Sequence, residues 1–76
     1  MQVQQGRRKI KVHAYDGYRG AERPLRILLN NNKLEVKEII LAWIEPGRRY
    51  FRVKAGPYDT IMTIYYDESA KEWFQC

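Results

Sequence analysis

Seventy-six residues, 45% hydrophobic, 13% aromatic and 30% charged, make one small folded domain with no room for a second core. No apolar run approaches the roughly 18–20 residues of a membrane span, no apolar stretch of the secretory-signal kind follows Met1, and a single cysteine, Cys76, excludes an intrachain disulfide. The net charge of +5 lies entirely in the first third, with seven bases against two acids up to Arg26 and seven against seven from Ile27 onward.

These features point to a cytoplasmic domain without membrane contact and without a cofactor. A basic segment of this kind is the footprint of a surface that meets an anion, most often nucleic acid; the competing reading is a solvated face that aids solubility.

Residues 1–7 are polar and read as a flexible terminus, with a single domain over 8–76. From Arg8 to Tyr15 the pattern has period two: Ile10, Val12 and Ala14 on one face, Lys9, Lys11, His13 and Tyr15 on the other, as in a half-buried strand. Asp16 to Pro24 reads as a loop carrying Gly17 and Gly20. Leu25, Ile27 and Leu29 then alternate with Arg26 and Leu28 in a second strand, and Asn30-Asn31-Asn32 reads as a turn.

Lys33 to Glu45 admits two readings. As a helix it places Val36, Ile39, Ile40, Trp43 and Ile44 on one stripe, with Asn32 as its cap and Pro46-Gly47 as its stop, which would make the domain α+β. As a strand it puts Leu34 and Val36 on one face and Ile39, Leu41 and Trp43 on one face, with a parity slip near Lys37-Glu38 such as a β-bulge makes. The β-branched and aromatic content, and the strand patterns on both sides, favour the bent strand.

After the Pro46-Gly47 turn, Phe51, Val53 and Ala55 alternate with Tyr50, Arg52 and Lys54. Gly56 to Asp59 is a turn, Ile61 to Tyr66 a strand with Met62 and Ile64 inward, and Glu72 to Gln75 a short closing strand with Trp73. Five or six short antiparallel strands in so few residues need closure to hide both edges and one face. The expectation is all-β: a small antiparallel barrel or rolled sheet, with Trp43 and Trp73 as the large core fillers.

Catalytic and metal chemistries find little support. His13 and Cys76 cannot form a four-ligand zinc site, and His13 lies on a polar strand face. Ser69 has no nucleophile elbow around it. Asp16 and Glu22 sit beside Arg19 and Arg23, which they neutralise. Gly17-Tyr18-Arg19-Gly20 has the spacing of a phosphate-clamping GxxG loop but follows a strand, where the clamp joins two helices. The expectation is a protein that is not an enzyme.

Basic and aromatic residues interleave. Lys9, Lys11 and Tyr15 on the first strand, Tyr18, Arg19 and Arg23 in the loop after it, and Arg49, Tyr50, Arg52 and Lys54 around the fourth strand are the candidate site residues. Flat rings stack on unpaired bases while Arg and Lys follow phosphates, and small barrels use such faces for single strands. Cross-strand pairing of Tyr with Arg or Lys is the alternative use of the same residues. Tyr18 also suits a plug over an open barrel end.

Around these residues the chain resembles a family of small uncharacterised bacterial proteins with a Tyr-x-Gly-Tyr-x-x-x-Glu-Arg-Pro loop, here Tyr15, Gly17, Tyr18, Glu22, Arg23 and Pro24. The resemblance continues through Val36, Glu38, Ile39, Ile40 and Trp43, then Tyr50, Phe51 and Val53, and closes on Asp67, Glu72 and Trp73. It departs at Leu41-Ala42, where the family carries polar residues, so that stretch is either wet or covered by a partner. The resemblance implies a mostly β domain and no activity.

The leading functional reading is a non-enzymatic binding module for single-stranded or structured nucleic acid. The rival is a protein–protein module or homodimer, because Leu28, Ile40, Leu41 and Ile44 cannot all face one small core.

Overall fold

Two asparagines close the first tight hairpin of the chain. In the computed structural model, which describes residues 8–16 and 22–76, Asn30 and Asn31 both take positive φ, 51° and 69°. That conformation matches the right-handed twist of the strands they join. The strands are β1 (Arg8–Asp16), β2 (Glu22–Leu29), β3 (Asn32–Glu45), β4 (Arg48–Ala55), β5 (Thr60–Asp67) and β6 (Glu72–Gln75). Each pairs antiparallel with the next, and β1 pairs with β6, so the sheet closes into a barrel in chain order. The all-β expectation holds, and 33–45 belongs to a bent strand rather than a helix. The N-terminal segment 1–7 and the loop tip 17–21, with Tyr18, Arg19 and the GxxG spacing, lie outside the described residues.

The interior collects the inward half of each strand. Ile10, Ile27, Phe51, Val53, Ala55, Ile64 and Trp73 are buried in one cluster, flanked by Val12, Ala14, Leu29, Leu34, Val36, Ile39, Met62 and Tyr66. Trp73 packs against Phe51 at 5.8 Å and Tyr66 at 5.3 Å between ring centroids.

Three surplus residues shape the barrel. In β2, His13 pairs Arg26 and Ala14 pairs Pro24, which leaves Leu25 as a bulge. Strand β2 therefore starts inside the segment expected to be loop. Pro24 takes the inward place expected of Leu25, which is exposed instead. In β3 the expected bulge is present at Lys37, between Val36↔Ala55 and Glu38↔Lys54. A second bulge, at Ile40, separates Ile39↔Val53 from Leu41↔Arg52. Each bulge shifts side-chain parity by one. The second therefore turns Leu41 and Trp43 to the outside while Ile39 stays in. Trp43 is not a core filler: it lies half-buried on the outer surface, opposite Tyr50.

Bulges also set how far β2 and β3 stay together. Their ladder runs only from Leu29↔Asn32 to Arg26↔Glu35. Beyond it both strands bend at Leu25 and Lys37 and separate around a cleft of about 220 Å³ lined by Arg23, Pro24, Leu25, Val36, Lys37, Glu38 and Ile39. Among the described residues no strand pairs with the outer edge of β3 from Val36 to Glu45.

The two tryptophans should differ in urea denaturation. Trp73→Ala is expected to destabilise by about 3–5 kcal/mol as a core truncation. Trp43→Ala should remove about 1–2 kcal/mol, the scale of one stacked pair plus partial burial. Equal losses would contradict the outward placement of Trp43.

Among the described residues two glycines take positive φ, and they allow a similar comparison. Gly47 (φ 77°) has open space where a Cβ would project, whereas at Gly56 (φ 81°) a Cβ would stand 3.0 Å from Leu34 Cδ2. Thermal unfolding should show Gly47→Ala costing about 1 kcal/mol from backbone strain alone. Gly56→Ala should cost about 2–3 kcal/mol, because Leu34 must also move.

Candidate functional site

Closure of the barrel divides the expected basic and aromatic face in two. Strands β1 and β4 are three strands apart in either direction around the ring. Their outer faces look opposite ways. Lys9, Lys11, Tyr15 and Arg23 lie on the β1–β2 side, and Tyr50, Arg52 and Lys54 on the β4 side. Arg49 shares the parity of inward Phe51 and sits at the barrel end, its Nε 3.0 Å from Glu68 Oε2. The single face read from the sequence is corrected on this point, since strand alternation separates inside from outside but not one side of a ring from the other.

On the β4 side an aromatic row runs around the exterior. Trp43 is opposite Tyr50, Tyr50 opposite Tyr65 and Tyr65 opposite Phe74. Successive centroids are 5.1, 5.0 and 5.3 Å apart, and Trp43 lies within 4° of parallel to Tyr50. The rings therefore spend their faces on each other. Tyr50 is flanked on both sides, and Tyr65 is buried between its neighbours although it points outward. The row has two ends: among the described residues Trp43 meets only Tyr50 and Phe74 only Tyr65, so each has one ring face without another ring against it.

Arg48 covers the middle of the row. Its Cζ is 4.9 Å from the Tyr65 centroid, its Nη1 donates to Tyr50 Oη at 3.4 Å, and its Nε is 3.6 Å from Asp67. The Tyr50 contact, with smaller help from Tyr65 and Asp67, makes the guanidinium hold its proton more firmly than usual despite some desolvation. Lys54 is paired with Glu38 at 3.5 Å. Arg52 donates to Thr63 Oγ1 at 3.4 Å and has no carboxylate partner among the described residues. Below the row, Lys37 donates to Asp59 at 3.0 Å and holds that carboxyl below its ordinary pKa.

The β1–β2 side is different in kind. Its outer rows are Lys11, Leu28 and Lys33; His13, Arg26 and Glu35; and Tyr15 with Arg23. Lys11 and Lys33 flank a cleft of about 260 Å³ that Val12, His13, Arg26 and Leu28 complete. Among the described residues neither lysine has a carboxylate partner. Arg26 is held by Glu35 at 2.9 Å and Lys9 by Glu72 at 3.1 Å. Tyr15 is 58% exposed, with no ring against it among the described residues.

Arg26 and Lys33 were not among the residues singled out from the sequence. The signal was present: a two-residue Asn-Asn turn sets Leu29 opposite Asn32, and counting back places Lys33 beside Leu28 and Lys11.

Among the described residues no cluster of three or more His, Cys, Asp or Glu side chains forms a metal site. No described helix is long and apolar enough to cross a membrane. Cys76 is exposed, and its backbone N–H bonds Thr63 at 3.0 Å. Comparison with protein-family models, curated proteins and solved structures finds no match to this chain.

Tyr65 offers a direct check of the aromatic row. Its hydroxyl is buried without a hydrogen-bond partner, a condition that costs about 1–3 kcal/mol. Tyr65→Phe keeps the ring contacts and removes the orphan. Chemical denaturation should show unchanged or higher stability; a loss above about 1 kcal/mol would mean that the hydroxyl is bonded.

Proposed function

We propose that this protein is a non-enzymatic module that binds nucleic acid on the outer face of β1, β2 and the first turn-proximal residues of β3. The carrying observation is the pair Lys11 and Lys33, free of carboxylates among the described residues and flanking one cleft with His13 and Arg26. Clustered cations without local acids raise the potential that attracts a polyanion, and each phosphate neutralised releases counterions. Arg23 extends the charged face, bordered by Lys9 and Arg26, whose charges are largely offset by Glu72 and Glu35, and Tyr15 supplies one exposed ring on which an unpaired base can stack.

Proposed in this form, binding rests mainly on phosphate contact. The β4 side contributes less, because Lys54 and Arg49 are paired with carboxylates, Arg52 stands alone there without a second unpaired basic side chain beside it among the described residues, and the faces of Tyr50 are occupied by neighbouring rings.

Fluorescence anisotropy with labelled single-stranded and duplex oligonucleotides at two salt concentrations tests this. Lys11→Ala and Lys33→Ala should weaken binding to all sequences and flatten the salt slope by about one each. Lys54→Ala should change little. Tyr15→Ala should weaken single-strand binding by about 1–3 kcal/mol without altering the slope. Affinity weaker than about 10⁻⁴ M for every oligonucleotide at low salt would overturn the proposal, as would equal losses from Lys54→Ala and Lys11→Ala.

A further inference from the structure

The outer edge of β3 is ten residues long from Val36 to Glu45, and no described strand covers it. Its last five residues, Leu41 to Glu45, lie beyond both bulges and pair regularly with β4 on the other side. Leu41 is 52% exposed and Ile44 77% exposed, and the bulged Ile40 beside them is 42% exposed. A regular apolar edge without a proline or a lysine in it is a template for another strand. We propose that the occupant is a second copy of this chain, joined by antiparallel pairing of β3 with β3 across a two-fold axis at Trp43.

Three features of the edge select this occupant and this register. The first is backbone polarity. Glu45 and Arg48 flank a two-residue turn and form the hydrogen-bonded pair that closes the hairpin. Alternation then directs the N–H and C=O of Trp43 and Leu41 toward β4, and those of Ala42 and Ile44 toward the open edge. With the axis at Trp43, Ala42 of one copy and Ile44 of the other exchange both bonds, and this happens twice. The two Trp43 residues form the non-hydrogen-bonded pair between them, where side chains approach most closely.

The second feature is the aromatic row. It ends at Trp43, with one ring face stacked on Tyr50 and the other directed to the open edge. The symmetry-related Trp43 meets that face and continues the row into the second barrel, a contact of the kind worth a further gain beyond area.

The third feature is charge. The register sets Leu41 opposite Glu45 of the other copy, and Leu41 is already opposite Arg52. Arg52 and the incoming Glu45 then lie two strand spacings apart, about 10 Å between Cα atoms, on one outer face. That is within reach of the two side chains. Within one chain Arg52 has no carboxylate partner and Glu45 no cationic one among the described residues; Glu45 only accepts from Trp43 Nε1, at 3.2 Å. Association supplies each with the partner it lacks. At the roughly 30–40 Å² per residue of a standard interface, five paired residues a side bury about 300–400 Å² in all, well below the standard size, so a weak dimer is expected.

Sedimentation equilibrium on the full chain from about 1 µM to about 1 mM reads the association. The wild type should move from monomer to dimer across this range. Ile44→Lys, at a surface position with circular dichroism confirming the fold, should weaken association at least about tenfold, because each axis carries the residue twice. The register is read by oxidative cross-linking in a Cys76→Ser background. Trp43→Cys should cross-link, since paired Cα atoms lie about 4.5 Å apart. Leu41→Cys should not, since its symmetry mate is about 13 Å away. A chain monomeric at the highest concentration, which would leave the edge to a different protein, overturns the proposal. So does a dimer indifferent to Ile44→Lys, or one cross-linked at 41 and not at 43.

Discussion

One surplus residue in β3 governs the outside of this barrel. Without the bulge at Ile40, Leu41 and Trp43 would continue the inward face of Ile39. The places they would then take, opposite Phe51 and Arg49, are held by Ala42 and Ile44, both exposed. With the bulge, the place opposite Phe51 goes to Ala42, the smallest side chain of the segment, which stays exposed there. The large residues Leu41 and Trp43 go outside. Trp43 joins the row of Tyr50, Tyr65 and Phe74 because of that half-step of backbone, and Leu41 is turned outward beside it for the same reason.

Closure has a consequence for charge as direct as its consequence for packing. A linear chain with bases near both its first and fourth strands suggests one continuous basic face. In a six-stranded ring those strands are opposite each other. Carboxylates then sort the bases further. Lys9, Arg26, Lys37, Arg48, Arg49 and Lys54 each stand within 4 Å of an acid, in exposed or half-buried pairs of small energetic value that nonetheless cancel local potential. Lys11 and Lys33 keep their charge uncancelled by any described neighbour. The uncancelled positive surface is thus smaller than the count of Lys and Arg implies; Lys11 and Lys33 hold it together on the β1–β2 side, while Arg52 is without a described carboxylate partner on the β4 side.

The strands were legible because their physics is local. Alternation of Ile10, Val12 and Ala14, of Phe51, Val53 and Ala55, and of Met62 and Ile64 is a period-two pattern against a wet face, and the inward set of each strand is the one found. The Lys37 bulge was legible as a parity slip between Val36 and Ile39. The Ile40 bulge was not, because Ile39, Ile40 and Leu41 are all aliphatic and a slip among equals leaves no mark. Leu25 misled for the same reason: an apolar residue beside Pro24 reads as inward until the pairing with Ala14 assigns that place to the proline. For the site, Lys9, Lys11 and Tyr15 and Tyr50, Arg52 and Lys54 were read as outward and are so placed, whereas Arg49 and Trp43 were not read on the faces they take, and neighbours across the ring depend on closure and register. Lys33 and Arg26 join Lys11 only through the β2–β3 turn, whose length sets register while leaving hydropathy untouched.

The two proposed surfaces are physically independent and respond to salt in opposite directions. Phosphate binding at Lys11 and Lys33 weakens as salt rises, because bound counterions must be displaced at a higher bulk concentration. Pairing at Trp43 brings together two chains of net charge +5 through an apolar edge. Screening relieves their long-range repulsion and leaves the apolar contact intact. At low salt, then, the repulsion between copies opposes the dimer unless a polyanion neutralises the β1–β2 faces. A nucleic acid long enough to reach both faces would favour the dimer by that neutralisation and by the raised effective concentration of the second face. Linkage then requires the dimer to bind such a strand more tightly than the monomer by the same factor. A strand too short to reach both faces cannot gain from that second contact. The length of oligonucleotide at which affinity steps up therefore measures the spacing of the two faces, a geometry that the Trp43-centred register specifies.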